Sequence, residues 1–273
     1  MSYFDKSAYL NRLALDTLSS EVSLKPDFPL LNRLQRQHVF TIPFENLDIM
    51  LDRGISVELP DIYQKVINNQ RGGYCFELNS LFRFALENFG FEARPLLARV
   101  HLGREPGGRT HQVTLVQLAD KQYITDVGFG ALSLRAPILF QPNEISQQNH
   151  LQYRIVEDKT WRYMMQVRNS ELGGADWFNM YSFDLEHVCH GDLVTGNHYT
   201  STSPASHFTQ MRITSLLTPD GRYAISDNQL TSVSGGGKYE TEQTTIEPSE
   251  YIDLLKTKFK LEIDAKYEDF KTA

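Results

Sequence analysis

Residues 71–90, Arg71-Gly72-Gly73-Tyr74-Cys75-Phe76-Glu77-Leu78-Asn79-Ser80-Leu81-Phe82-Arg83-Phe84-Ala85-Leu86-Glu87-Asn88-Phe89-Gly90, hold the most regular periodicity in the chain. Leu78, Leu81, Phe82, Ala85, Leu86 and Phe89 lie on one stripe of a helix that opens at Cys75, and Gly90 ends it. Upstream the same period recurs. Asp5 caps a helix with Tyr9, Leu10, Leu13 and Ala14 on one face; a second starts near Pro29 with Leu30, Leu31, Leu34 and His38 in phase and breaks at Pro43. A third carries Ile62, Tyr63, Val66 and Ile67 and stops before Gly72-Gly73. Downstream of Gly90 the period shortens. Segments 94–102, 112–118 and 122–127 are runs of strand formers separated by Gly, Pro and Asp, and 151–168 reads as two more strands around Glu157-Asp158. These describe a small barrel or sheet. Beyond about residue 184 the pattern is mixed, with a helix near 184–195, strands flanking Thr218-Pro219-Asp220-Gly221 and a last helix near 249–260.

Composition narrows the class. The chain has 273 residues, 27 Lys and Arg against 34 Asp and Glu, and 16 Phe, 13 Tyr and 2 Trp. It is long enough for a large core and too apolar for disorder. The acidic balance offers no diffuse cationic surface, so neither nucleic acid nor a membrane is expected as a partner. No apolar run is long enough to span a bilayer, and residues 1–10 carry Asp5 and Lys6 in place of a hydrophobic signal core, so the expected location is the cytoplasm. With Cys75 and Cys189 as the only cysteines, no disulfide framework and no four-thiolate zinc site can form. His187, Cys189, His190 and Asp192 lack the paired spacing of zinc ligands, and no metal is expected. Gly235-Gly236-Gly237 lacks the Lys-Ser/Thr context of a phosphate cradle and reads as a loop.

Cys75 fits a packing role poorly. It follows a glycine pair and opens a helix, where unpaired N–H groups and the helix dipole favour a thiolate; the glycines let the backbone turn sharply and a substrate come close. A thiolate nucleophile needs a base and a group to orient that base. His111 begins the strand 111–116, and Asp126 ends the next, 123–128. Antiparallel pairing brings the start of one beside the end of the other. Cys75, His111 and Asp126 are therefore the candidate triad, and the Cys75 N–H is one candidate oxyanion donor.

These segments resemble the arylamine N-acetyltransferase family. Residues 71–79 look like its active-site cysteine signature, and His111-Gln112-Val113 and Asp126-Val127-Gly128-Phe129-Gly130 look like its other two catalytic segments. Ile42-Pro43-Phe44-Glu45-Asn46-Leu47 and Ser201-Thr202-Ser203-Pro204-Ala205-Ser206-His207-Phe208 match an N-terminal and a C-terminal motif. The resemblance implies an α+β fold of three parts with a cysteine-protease-like core: a helical bundle over 1–90, a β-barrel over 91–183 and an α/β lid over 184–273. It implies acetyl-CoA as donor, an acetyl-Cys75 thioester, and a small arylamine, arylhydrazine or N-hydroxyarylamine as acceptor, with ping-pong kinetics. Arg71 and Glu45 are implied as a buried supporting pair. Phe129 and Phe208 resemble the acceptor-pocket lining, with plain core packing as the competing reading. Gly108, Arg109, Thr110, Gly128 and Gly130 are the implied contacts to the coenzyme. Three other readings share these residues: an amide synthase that releases a polyketide chain as a lactam, a triad thiol hydrolase or transglutaminase-like enzyme, and a binding protein with an unused triad.

Overall fold

A computed structural model describes residues 4–16, 24–168, 176–235 and 239–271. The elements begin with helix α1 (Lys6–Arg12), α2 (Phe28–Thr41), the two-residue strand β1 (Phe44–Glu45), α3 (Leu47–Met50) and α4 (Leu59–Tyr63), which continues as a π-helical turn over Gln64–Asn68. Then follow α5 (Cys75–Asn88), β2 (Glu92–Val100), β3 (His111–Leu118), β4 (Lys121–Thr125), β5 (Ile138–Leu139), β6 (Ser146–Gln148), β7 (Leu151–Asp158), β8 (Arg162–Arg168) and β9 (Phe178–Phe183). The remainder is α6 (His190–Thr202), β10 (Ile213–Thr218), β11 (Gly221–Ser226), β12 (Gln229–Gly235), β13 (Tyr239–Thr245) and α7 (Pro248–Phe259). The α+β architecture expected from the periodicities is the one observed.

The first helix is shorter than its apolar pattern. Asp5 caps it by accepting from Ser7 N and Ala8 N, but Leu13 is already its C-cap and Ala14 has φ +53°. Its stripe still counts, because Tyr9, Leu10 and Leu13 are buried with α2 and α5 in one cluster. Strand β2 ends at Val100, and Leu102, expected inside it, turns at φ +46°. A larger correction concerns α6, expected over 184–195 and found over His190–Thr202. Asp184 is held by Arg109, and Asp192 accepts from Cys189 N at 2.9 Å, so the cap sits five residues later than expected. Gly235 closes β12; the rest of the glycine run lies outside the described residues.

Eight strands form one antiparallel sheet in the order β5-β4-β3-β2-β9-β8-β7-β6, curled around Leu96, Val113, Leu115, Tyr153, Ile155, Met165 and Tyr181. The two ends of that sheet are joined by one side chain. Gln148, on β6, accepts through Oε1 from Arg135 N at 2.7 Å and Ala136 N at 3.0 Å, and its Nε2 donates to Ala136 O at 3.0 Å, just ahead of β5. The barrel is thus closed by an amide that imitates a strand.

A second sheet runs β1-β10-β11-β12-β13. Its first strand comes from between two helices of the N-terminal half: Phe44 pairs with Ser215 and Glu45 with Thr214. Asn46 secures the junction. It donates to Phe208 O and Met211 O, each at 2.8 Å, and accepts from Ile213 N at 2.7 Å. The two outlying motifs of the sequence, 42–47 and 201–208, therefore meet through one buried amide. Among the described residues no helix is long and apolar enough to cross a membrane.

Replacing Gln148 with Ala leaves buried N–H and C=O groups unpaired at the barrel seam. Unfolding free energy, measured by urea titration, is expected to fall by at least about 1–3 kcal/mol, the cost of one unsatisfied buried group; an unchanged midpoint would show that the seam does not depend on this amide.

Candidate active site

Cys75 is the first residue of α5, and its backbone N–H, like any in a first helical turn, has no intrahelical acceptor. The turn before it is shaped by close backbone packing. A Cβ on Gly72 would come within 2.2 Å of Pro43 O, and one on Gly73 within 2.9 Å of the Glu77 side chain. These glycines admit neighbouring protein, β1 and the helix cap, where the sequence suggested room for a substrate. Glu77 Oε2 accepts from Tyr74 N at 3.0 Å and so fixes the start of the helix.

His111 and Asp126 meet as the hairpin register requires. Thr114 pairs with Thr125, which sets the beginning of β3 beside the residue that follows β4. His111 Nε2 lies 2.8 Å from Asp126 Oδ2, and the imidazole lies beside the Cys75 thiol, which donates to Thr110 O at 3.7 Å. All three side chains are buried. Burial pushes the imidazole down, but the Asp126 carboxylate, helped by its hydrogen bond and by Cys75, outweighs that and raises it from 6.5 to about 10. His111 is therefore cationic at neutral pH.

Two residues that the sequence reading passed over hold this geometry. Asn79, one turn after Cys75 on the same helical face, donates to Asp126 Oδ1 at 3.0 Å and to Gln112 O at 2.6 Å, and accepts from Val127 N at 3.0 Å. The i+4 spacing from Cys75 was the available signal. Tyr181 of β9 packs on His111 with ring centroids 5.1 Å apart, and burial together with the Asp126 charge holds its phenol well above the usual range. Gly128 also has a packing reason: a Cβ there would lie 2.8 Å from both Asn79 Nδ2 and Cys75 Cα.

Arg71 and Glu45 are brought together in a larger cluster. Arg71 Nη2 donates to Glu45 Oε1 at 2.8 Å and to Asp48 Oδ1 at 3.1 Å; Lys65 Nζ reaches Asp48 Oδ2 at 2.7 Å and Glu77 Oε1 at 2.8 Å. Burial would push Arg71 and Lys65 down, yet the surrounding carboxylates raise both above their ordinary values. Glu77 is raised, by its burial first and by the Glu45 charge, against the pull of Lys65.

A cavity of about 310 Å³ opens at Cys75 and His111. Phe129 and Phe208 both line it, with Phe44 beside them. Phe129 is edge-on to His111, with ring centroids 4.9 Å apart, and Phe208 is edge-on to Tyr74 at 5.8 Å. Of the implied coenzyme contacts, Gly108, Thr110 and Gly128 line the cavity; Arg109 lies outside it and pairs with Asp184, and Gly130 is buried against Phe44 and Ser215. Among the described residues no group of three or more His, Cys, Asp or Glu could hold a metal ion.

A cysteine beside a histidine that is hydrogen-bonded to a carboxylate, at the wall of a cavity, is the arrangement of the thiol-nucleophile class of transferases and hydrolases. Comparison narrows the class. A family model described as N-acetyltransferase matches residues 27–267. The arylamine N-acetyltransferase / N-hydroxyarylamine O-acetyltransferase of Salmonella typhimurium is 36% identical over 270 residues, covering 97% of this chain and 92% of its own. A solved arylamine N-acetyltransferase from the same organism superposes with a TM-score of 0.87 at 32% identity, covering 97% of this chain and 95% of its own. The Mycobacterium marinum enzyme in complex with CoA superposes with a TM-score of 0.85 at 26% identity, covering 97% and 96%. The chain belongs to the arylamine N-acetyltransferase family.

The His111–Asp126 pair makes stability depend on pH. A histidine raised from 6.5 to about 10 in the folded state contributes stability that is complete below about pH 6.5 and is lost as pH rises through about 10. Urea denaturation of the parent protein and of Asp126→Asn should therefore give a stability difference that shrinks from pH 6.5 towards pH 10. A difference independent of pH over that window would show that the imidazole is neutral in the folded state.

Proposed function

We propose that the protein is an acetyl-CoA-dependent arylamine N-acetyltransferase working through a Cys75-His111-Asp126 triad. The observation that carries this reading is the series itself: a thiol beside an imidazole that lies 2.8 Å from a fully buried carboxylate, with thiol and imidazole both lining a cavity that also holds Phe44, Phe129 and Phe208. An imidazolium next to a thiol favours the thiolate. The Cys75 thiolate attacks the thioester carbonyl of acetyl-CoA, the Cys75 N–H helps hold the developing oxyanion, and the C–S bond to coenzyme A breaks as its thiolate leaves with the proton from His111. One thioester replaces another, so the step is close to thermoneutral.

The acceptor, an arylamine, arylhydrazine or N-hydroxyarylamine, then enters the aromatic cavity. Its nitrogen, or oxygen for the last, attacks acetyl-Cys75, the neutral imidazole takes its proton, and the Cys75 C–S bond breaks to restore the ion pair. Asp126 keeps Nε2 protonated and turned away, so that Nδ1 serves the thiol. Gly108, Thr110 and Gly128 line the route for the donor, and the Arg71–Glu45 pair supports the start of α5. The three parts of the chain, 1–90, 91–183 and 184–273, supply nucleophile, base with its orienter, and cover. The B. cereus relative, at 25% identity and a TM-score of 0.83 over 96% of this chain and 100% of its own, is described as having a Cys-His-Glu triad; here the third position is Asp126.

Intact-mass spectrometry of the protein with acetyl-CoA is expected to reveal one added acetyl group, mapped to Cys75, that disappears when 5-aminosalicylate is added and acetylated. Cys75→Ala should abolish both events, and Cys189→Ala should change turnover less than about two-fold. Equal loss in the two variants would overturn the assignment. An unmodified Cys75 in an otherwise intact protein would exclude acetyl-CoA as donor.

A further inference from the structure

Tyr153, Ile155, Met165 and Val167 fill the barrel, so the residues between them on β7 and β8 face outwards. Gln152 stands opposite Arg168 and Arg154 opposite Gln166, which sets the two arginines on the diagonal of one antiparallel pair. Trp177, the residue before β9, lies against both. The Arg154 guanidinium carbon is 4.1 Å from its ring centroid and that of Arg168 4.7 Å, so one half-buried indole holds two cations. None of these residues borders the cavity at Cys75 or the openings beside Arg109.

Around this pair amides stand where acids would balance the charge. Arg154 Nε donates to Gln166 Oε1 at 2.8 Å; Arg168 donates to Gln152 Oε1 through Nε at 2.9 Å and through Nη2. Gln166 Nε2 donates onward to Asn179 Oδ1 at 2.8 Å and Gln152 Nε2 to Gln147 Oε1 at 2.7 Å, so each amide is fixed with its oxygen towards an arginine. An amide oxygen accepts a hydrogen bond without cancelling a charge. Among the described residues neither arginine has an ion pair, and Asp176, next to Trp177, reaches neither. Both Nη groups of Arg154 and Nη1 of Arg168 donate to no described atom. The repulsion registers on Arg154, whose guanidinium is pushed below its ordinary value by burial and then by the Arg168 charge. In a chain of net charge −7, two neighbouring cations are thus held together and left without a counter-ion.

We propose that Arg154, Arg168 and Trp177 form an anion site, separate from the catalytic cavity, for a dianionic phosphate group seated at the edge of the indole. A dianion supplies what the pair lacks: charge to offset the mutual repulsion and oxygens for the free Nη donors. Planar guanidinium forks match phosphate oxygens two at a time, and stacking on Trp177 holds both forks ready before the anion arrives. The site stands whether or not the triad transfers acetyl groups.

Titration calorimetry with inorganic phosphate, at an ionic strength held constant with chloride and a pH above the second ionisation of phosphate, is expected to give saturable heat. The double variant Arg154→Met, Arg168→Met should raise Kd roughly ten-fold or more, the loss of a charge-assisted hydrogen bond. Arg154→Lys, Arg168→Lys keeps the charge without the fork and should weaken binding several-fold; it decides the matter if the methionine variant does not fold, which urea unfolding reports. In a Trp161→Phe background Trp177 is the remaining tryptophan, and its emission should change with the same midpoint as the heat. Methyl phosphate distinguishes the sources: heat with both probes supports a phosphate borne on a larger molecule, and heat with inorganic phosphate alone supports the free ion. KM for acetyl-CoA should stay that of the parent in both arginine variants, which separates this site from the donor's. No saturable heat with phosphate, or heat undiminished in the arginine variants, would overturn the proposal.

Discussion

The carboxylate of Asp126 is fully buried, and a charge in that position persists only if neighbouring groups replace the water it has lost. Three come from three different stretches of chain. His111 supplies a cation from β3, Asn79 an amide N–H from α5 and Gly128 a backbone N–H at 3.0 Å from the turn after β4, while Tyr181 of β9 packs against the imidazole. Each of these groups is also where one part of the molecule rests on another. The helix that carries Cys75 is tied to the barrel where Asn79 reaches Asp126, so solvation of one anion and placement of Cys75 are the same event.

The second buried set, Glu45, Asp48, Lys65, Arg71 and Glu77, works on the other side of Cys75. Two cations face three carboxylates, and Glu77 reaches the Tyr74 N–H from within the cluster. Removing either cation strands carboxylates away from water, which typically costs about 3–5 kcal/mol. The cluster also explains why Gly72 and Gly73 precede the cysteine: the chain passes so close to Pro43 and Glu77 that a side chain has nowhere to go.

How much of this was legible depended on whether the signal was local. The α5 stripe and the hairpin of β3 and β4 are short-range patterns, and from the hairpin the pairing of His111 with Asp126 followed by spacing, whereas their meeting with Cys75 rested on the need of a thiolate for a base and on the family resemblance. The start of α6 was not legible, because the buried side of that helix is Leu193, Gly196, Asn197 and Thr200, which carries no apolar period. Lys65 and Asp48 carry no local signal; the π-helical turn after α4 brings Lys65, and α3 brings Asp48, against Arg71 and its partners. Gln148, one of three consecutive amides in a polar run, gave no hint that it closes the barrel. The pairing of β1 was beyond any local reading, since two residues cannot announce a partner so far along the chain.

That distant pairing bears on how the protein is made. Asn46 and Phe208 are 162 residues apart, and Phe44, which lies on Gly73 and lines the cavity, completes its strand only against β10. On a ribosome the helices and the barrel emerge first, each able to collapse locally, while the turn ahead of the cysteine waits for a partner not yet synthesised. Cys75 therefore acquires its final setting only once β10 has been made. A nascent chain halted anywhere before β10 would carry Cys75, His111 and Asp126 and still present Cys75 on an unsupported turn.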